Sequence, residues 1–189
     1  MLPRMSIDDG RPLYWAPVPH VDAVPDRPRF GGVFAERNWR NVPGPFYAAG
    51  TDNCWVGRAH APRHILYGGD GGHDSEFLYR QPRTLDELRL VLRGMADDPT
   101  IGWARDGDAH WTPSSVRAWW DDRSRLREWL TAKHRAFAES DRGQEREAAT
   151  GLRDYLTYLD GDLARHLQAY VFFLDQGVAP SSRDRLPSL

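Results

Sequence analysis

Large apolar residues recur three or four positions apart along the C-terminal third of the chain: Leu152, Leu156, Leu159, Leu163, Leu167, Tyr170 and Leu174. That spacing places them on one stripe of an α-helix, and so long a stripe has to be covered by another element. It predicts a helix from about Glu145 to Gln176, in which Gly161 allows a bend. Gly177 suits the left-handed position just past the helix end, and Pro180 blocks continuation. The nearest cover is the preceding segment. There Thr112-Pro113 reads as N-cap and first helical residue, and the helix is expected to reach about Ala138. Its apolar side includes Val116, Trp119, Trp120, Leu126, Trp129, Leu130 and Phe137. Joined by the polar link ESDRGQ, the two helices are expected to pair antiparallel, tryptophans against leucines.

Upstream the pattern changes. Between residues 31 and 83, GVFAERNW, GPFYAA, NCWVGR, RHILY and EFLYRQ are short runs rich in aromatic or β-branched residues. Each is bounded by Gly, Pro, Asn or Asp, so all five read as strands. ILYGGDGGHDSEFLYR reads as a hairpin with a glycine-rich tip from Gly68 to Ser75. No Lys-Ser/Thr follows those glycines, which rules out a P-loop. RTLDELRLVLRGMADDP is a helix: Thr84 and Glu87 make a capping box, and Leu85, Leu88, Val91, Leu92 and Met95 form its stripe. In TIGWARDGDAHWT, Asp106-Gly107 is a favoured pair for a two-residue hairpin turn. The expected fold class is therefore α+β: a small antiparallel sheet with one helix, then a long C-terminal antiparallel helical hairpin. Residues 1–30 are Pro-rich and extended, either a strap docked through Tyr14 and Trp15 or a mobile tail. Residues 31–177 form a single domain, with 31–111 mainly β and 112–177 the helical hairpin, and 178–189 are a tail.

Bulk properties narrow the function classes. At 189 residues the chain fits one domain, and 27 acidic against 25 basic side chains give a net charge of −2. Such a balance offers no support for nucleic-acid binding, which rests on a basic surface. Cys54 is the only cysteine, so the chain alone makes no disulfide, zinc–thiolate site or iron–sulfur cluster. The first residues lack the apolar core of a signal peptide, and no apolar run approaches a membrane span. A soluble cytoplasmic protein without cofactor or membrane partner is expected.

Candidate chemistry is diffuse. His60, His64, His73, Asp74 and Glu76 carry metal-ligating groups, but their spacing matches no metal motif, and ordinary turn and surface roles are expected. Asp106, Asp108 and His110 begin like a calcium loop, yet the glycine falls at 107 and no closing Glu follows. On a return strand, Asp108 and His110 would share a face and could act as an acid–base pair. Cys54 reads as a small core residue. Trp55, Arg58, His64, Arg80, Trp103, Asp108, His110 and Trp111 are the candidate binding residues, in company with Asp52, Tyr79 and Asp106. Converging, they would make a Trp-walled pocket for a planar or anionic ligand, or equally a protein hot spot.

NVPGPFYAAGTDNCWVGRAHAPRHILY, EFLYRQPRTLDEL and DGDAHWTPSSVRAWW resemble an uncharacterised actinobacterial family of small soluble proteins, over about residues 30 to 176. The resemblance brings no activity, cofactor or catalytic residue with it. Small soluble proteins of such bacteria are often toxin-neutralising or otherwise partner-binding. Together with the eight tryptophans, the abundant arginine and the missing catalytic motif, it implies a non-enzymatic binding protein, of immunity type, that occludes a protein partner. The alternative is a small enzyme or ligand-binding protein using the Trp-, Arg- and His-containing β region.

Overall fold

The computed structural model describes residues 12–25, 27–52, 54–70 and 74–189. They form four short strands, β1 (Tyr47–Ala48), β2 (Ile65–Gly68), β3 (Ser75–Leu78) and β4 (Trp103–Ala104). The helices among them are α1 (Val56–His60), α2 (Leu85–Ala96), α3 (Gly107–His110), α4 (Pro113–Asp121), α5 (Arg123–Ala138), α6 (Gly143–Asp160) and α7 (Leu163–Gln176). The architecture is α+β, with two separate two-stranded antiparallel sheets in place of the single sheet expected.

β2 and β3 form the predicted hairpin, Ile65 opposite Leu78 and Leu66 opposite Phe77. Its tip residues Gly71, Gly72 and His73 lie outside the described residues. The hairpin is buried on both faces. Ile65 and Leu78 pack with Leu88, Leu92 and Met95 of α2, whereas Leu66 and Phe77 pack with Leu130, Leu152 and Tyr155 of α5 and α6. One hairpin thus separates two apolar clusters, which explains why these strands read as unbroken apolar runs instead of alternating.

α2 starts where its cap predicts: the Thr84 hydroxyl accepts from the Glu87 N–H, while the Glu87 carboxylate reaches past Thr84 to the Arg83 N–H. α4 starts at the predicted Thr112-Pro113, with a reciprocal capping box between Thr112 and Ser115. In place of two uninterrupted C-terminal helices there are four. The first arm breaks at Asp122, a weak helix former, and the second at Gly161, whose ψ of −107° is not helical. α5 and α6 lie side by side. Arg127 near the start of α5 is ion-paired with Asp160 at the end of α6, and Arg146 near the start of α6 donates to the Ser140 carbonyl just beyond α5. α4 lies against α7. Gly177 closes α7 in the left-handed region (φ 71°), as its position predicts.

Three expectations for the β region fail. Phe34–Glu36 in GVFAERNW is a 3₁₀ turn. In NCWVGR, whose Asn53 lies outside the described residues, no strand runs from Cys54 on: Trp55 sits at φ 61° and α1 follows. The Asp106-Gly107 turn does not form either, because Trp103 and Ala104 pair with Ala48 and Tyr47, leaving no partner for a return strand at 109–111. Residues 107–110 coil into α3 instead, and Gly107 is needed for contact, since a Cβ there would overlap the Gly44 carbonyl oxygen.

From Pro12 onward the N-terminal segment is a strap. Tyr14 packs on Tyr170 and Phe173 of α7, Val21 and Val24 enter the α2 cluster, and Val18–Ala23 winds into a 3₁₀ helix where an extended chain is expected. The C-terminal residues also return to the body: the Ser188 carbonyl accepts from Arg117, and Leu186 and Leu189 pack on the larger cluster.

Candidate functional site: an aromatic cleft beside Arg37

The eight residues singled out in the sequence do not meet at one place. Arg58, His64 and Arg80 gather where the hairpin meets α6, and the bonds they make are structural, although Arg58 Nε and Arg80 Nε are buried without a partner. Arg58 is ion-paired with Glu147 (2.8 Å) and donates to the Pro62 carbonyl. Arg80 pairs with Asp154 (3.2 Å), which also accepts from the Tyr79 hydroxyl (2.7 Å). His64 Nδ1 bonds the Arg80 carbonyl oxygen (2.9 Å), and burial lowers the imidazole's proton affinity, so the ring is neutral and Nδ1 is the donor. Trp55 stacks on Tyr67 (4.7 Å between ring centres), and Trp103 is fully buried in the α2 cluster.

Asp108 and His110 part company on α3. With no return strand, they do not share a strand face. Asp108 turns inward and accepts from the Tyr170 hydroxyl (2.8 Å), with burial raising its pKa against that bond. His110 turns outward, Nε2 against Asp106 Oδ2 at 3.1 Å, while Asp106 Oδ1 accepts from the buried Tyr47 hydroxyl at 2.7 Å. Burial pushes the Asp106 pKa up, but the bonds from Tyr47 and His110 outweigh it and the carboxyl is held below its ordinary range. This chain fixes the imidazole flat against Phe34, 4.8 Å between ring centres.

From Phe34 the stack continues. The Arg37 guanidinium lies 4.0 Å from the centre of the Phe34 ring and 4.8 Å from that of Trp111. Beyond Trp111 opens a cleft of about 240 Å³ walled by Trp39, Trp111 and Trp119, with Arg37 at one side and Asp122 at its lip. Its walls are fixed to one another: the Trp119 indole on α4 donates to the Trp39 carbonyl (3.0 Å). Trp39 in turn stands edge-on to Trp129, and the nearly buried Arg40 lies over both rings and pairs with Asp70. Trp111 is 5% exposed, and its buried indole N–H has no hydrogen-bond partner.

Of the expected site residues, Trp111 lines this cleft and His110 reaches it through the stack with Phe34 and Arg37. Arg37, Trp39 and Trp119 were not singled out as a site in the sequence. Trp119 reads there as part of a helix's apolar side, and Arg37 and Trp39 fall in a segment read as a strand. Their joint signal is only the aromatic density of ERNW and VRAWW.

The metal-ligating residues are dispersed. His60 pairs with Asp97 (2.7 Å) and Asp74 with Lys133 (3.5 Å), His73 lies outside the described residues, and no group of three metal-ligating side chains occurs among those described. Glu76, 3% exposed, accepts from the backbone N–H groups of Arg58 and Gly57 at the start of α1, and burial raises its pKa to about 7. Cys54 is exposed, not a core residue. Its thiol donates to Asp52 (2.7 Å), which holds its pKa above the usual value and disfavours the nucleophilic thiolate. Among the described residues no helix is long and apolar enough to cross a membrane. No known protein family matches this chain, nor does any curated protein or solved structure.

Proposed function

We propose that this is a non-enzymatic, cytoplasmic binding protein of immunity type, which engages a protein partner through the aromatic cleft and acts by occlusion. The observation that carries the reading is the cleft itself: an open cleft lined by three tryptophans and an arginine, with Trp119 of α4 bonded to the Trp39 carbonyl across it. Trp and Arg are among the residue types enriched at protein–protein hot spots, Trp because it buries a large rigid area and Arg because its planar guanidinium both stacks and donates hydrogen bonds. The volume points the same way. About 240 Å³ admits one or two side chains, below the roughly 300–1,000 Å³ of typical metabolite pockets.

The test is a comparative capture from the cells that make the protein. Tagged wild type and an exposed control, Leu90→Ala, should retain the same partner, while Trp119→Ala loses it by about thirtyfold or more in affinity, as a hot-spot truncation does. Circular dichroism confirms that each variant is folded. A partner held equally by wild type and folded Trp119→Ala overturns the assignment of the cleft, and no specific partner overturns the function.

A further inference from the structure

The walls of the cleft say what its occupant should carry. Arg37 is half-buried against two aromatic faces, and burial lowers the proton affinity of its guanidinium. Only Nη1 is used, donating to the Phe34 carbonyl at 2.9 Å, and no carboxylate pairs with Arg37 among the described residues. The comparably placed arginines differ in this respect: Arg40 has Asp70, Arg58 has Glu147 and Arg80 has Asp154. A partly desolvated cation without a counter-ion is costly, and the cost is recovered when an anion arrives. The second observation is the setting of Arg37, on the same cleft as Trp39, Trp111 and Trp119, which offer apolar surface beside the cation. Asp122, the acidic residue of the lining, does not fill the role, because it is paired with Arg125 (3.6 Å), whose guanidinium lies over Trp39.

We infer that the cleft recognises an acidic segment of the protein partner, taking a Glu or Asp carboxylate onto Arg37, with an adjacent apolar side chain between the tryptophans. The inference rests on the proposed partner-binding function and adds the chemistry of the partner. A guanidinium lying flat on aromatic rings keeps its edge free for in-plane hydrogen bonds to a carboxylate, so the stack and the ion pair are compatible.

The experiment pans a random-peptide library against the full chain and its Arg37→Ala variant. Wild type should enrich peptides with Asp or Glu beside an apolar residue. The most enriched peptide, made synthetically, should bind Arg37→Ala about tenfold or more weakly, and its Gln or Asn counterpart should lose as much on wild type. The two losses should not add, because both remove one interaction. The Trp111 indole N–H resonance should move on adding the acidic peptide. Enrichment without acidic residues, equal binding to Arg37→Ala, or no enrichment at all overturns the inference. So does a Trp111 shift produced by sodium benzoate more tightly than by any selected peptide, which would mark a small-anion site. A partner lost on Trp119→Ala but indifferent to Arg37→Ala leaves the cleft's function standing and removes only this inference.

Discussion

Glu76 shows how much a single buried carboxylate sets the pH behaviour of this protein. It accepts from two backbone N–H groups at the start of α1 and is ion-paired with no cation among the described residues, with Asp52 and Asp98 close enough to raise its pKa further. Burial dominates, and the folded state holds the proton up to about pH 7 where an unfolded Glu releases it near 4.5. Between those values the folded state binds more protons than the unfolded one, so stability falls as pH rises. The contribution is fully present below about 4.5 and lost once pH passes about 7, a change on the order of 3 kcal/mol. Urea unfolding at pH 5 and pH 8 should therefore show wild type losing stability over this window relative to Glu76→Gln, which has no proton to release. Parallel pH profiles for the two proteins would contradict this account. Sequence alone places Glu76 among metal-ligating residues because it shares a segment with histidines. Its actual task depends on the turn at Trp55, a long-range circumstance that local pattern does not carry.

Elements were legible wherever their determinants are local. Thr84 and Thr112-Pro113 announce helix starts through bonds spanning three residues, and the ILY and EFLY runs announce a hairpin through composition alone. The cap at Thr112 can be weighed directly. Thr112→Ala removes the acceptor for the Ser115 N–H and should cost about 1 kcal/mol in chemical denaturation. A change within error would mean that the Ser115 hydroxyl, which accepts from the Thr112 N–H, holds the end without it. Illegible elements are those decided at a distance. Asp106-Gly107 has the residues of a turn, but Trp103 and Ala104 find better partners in β1, more than fifty residues upstream. The helix break at Asp122 carries neither Gly nor Pro, and the cleft is assembled from the loop at Arg37 and Trp39, the loop residue Trp111, and α4 and α5, none of which reveals its neighbours.

At the scale of the whole molecule, the N-terminal strap unites regions that sequence keeps apart. Val21 is fully buried in the α2 cluster, while Tyr14 reaches α7. Val21→Ala should lower stability by about 2 kcal/mol, from two lost methyl groups and the space they leave. Deleting residues 1–24 should lower the urea midpoint further and open the α2 cluster to an apolar dye such as ANS. A truncated chain as stable as wild type, and silent to the dye, would show that the strap contributes nothing. Such a closure has a consequence for the order in which the protein is made. Tyr14 leaves the ribosome long before Tyr170 and Phe173 exist, so this end of the strap waits for α7, whereas Val21 and Val24 have their seat once α2 is made. Tyr14 stays open to other contacts until then, and it is α7 that lets this end of the strap settle.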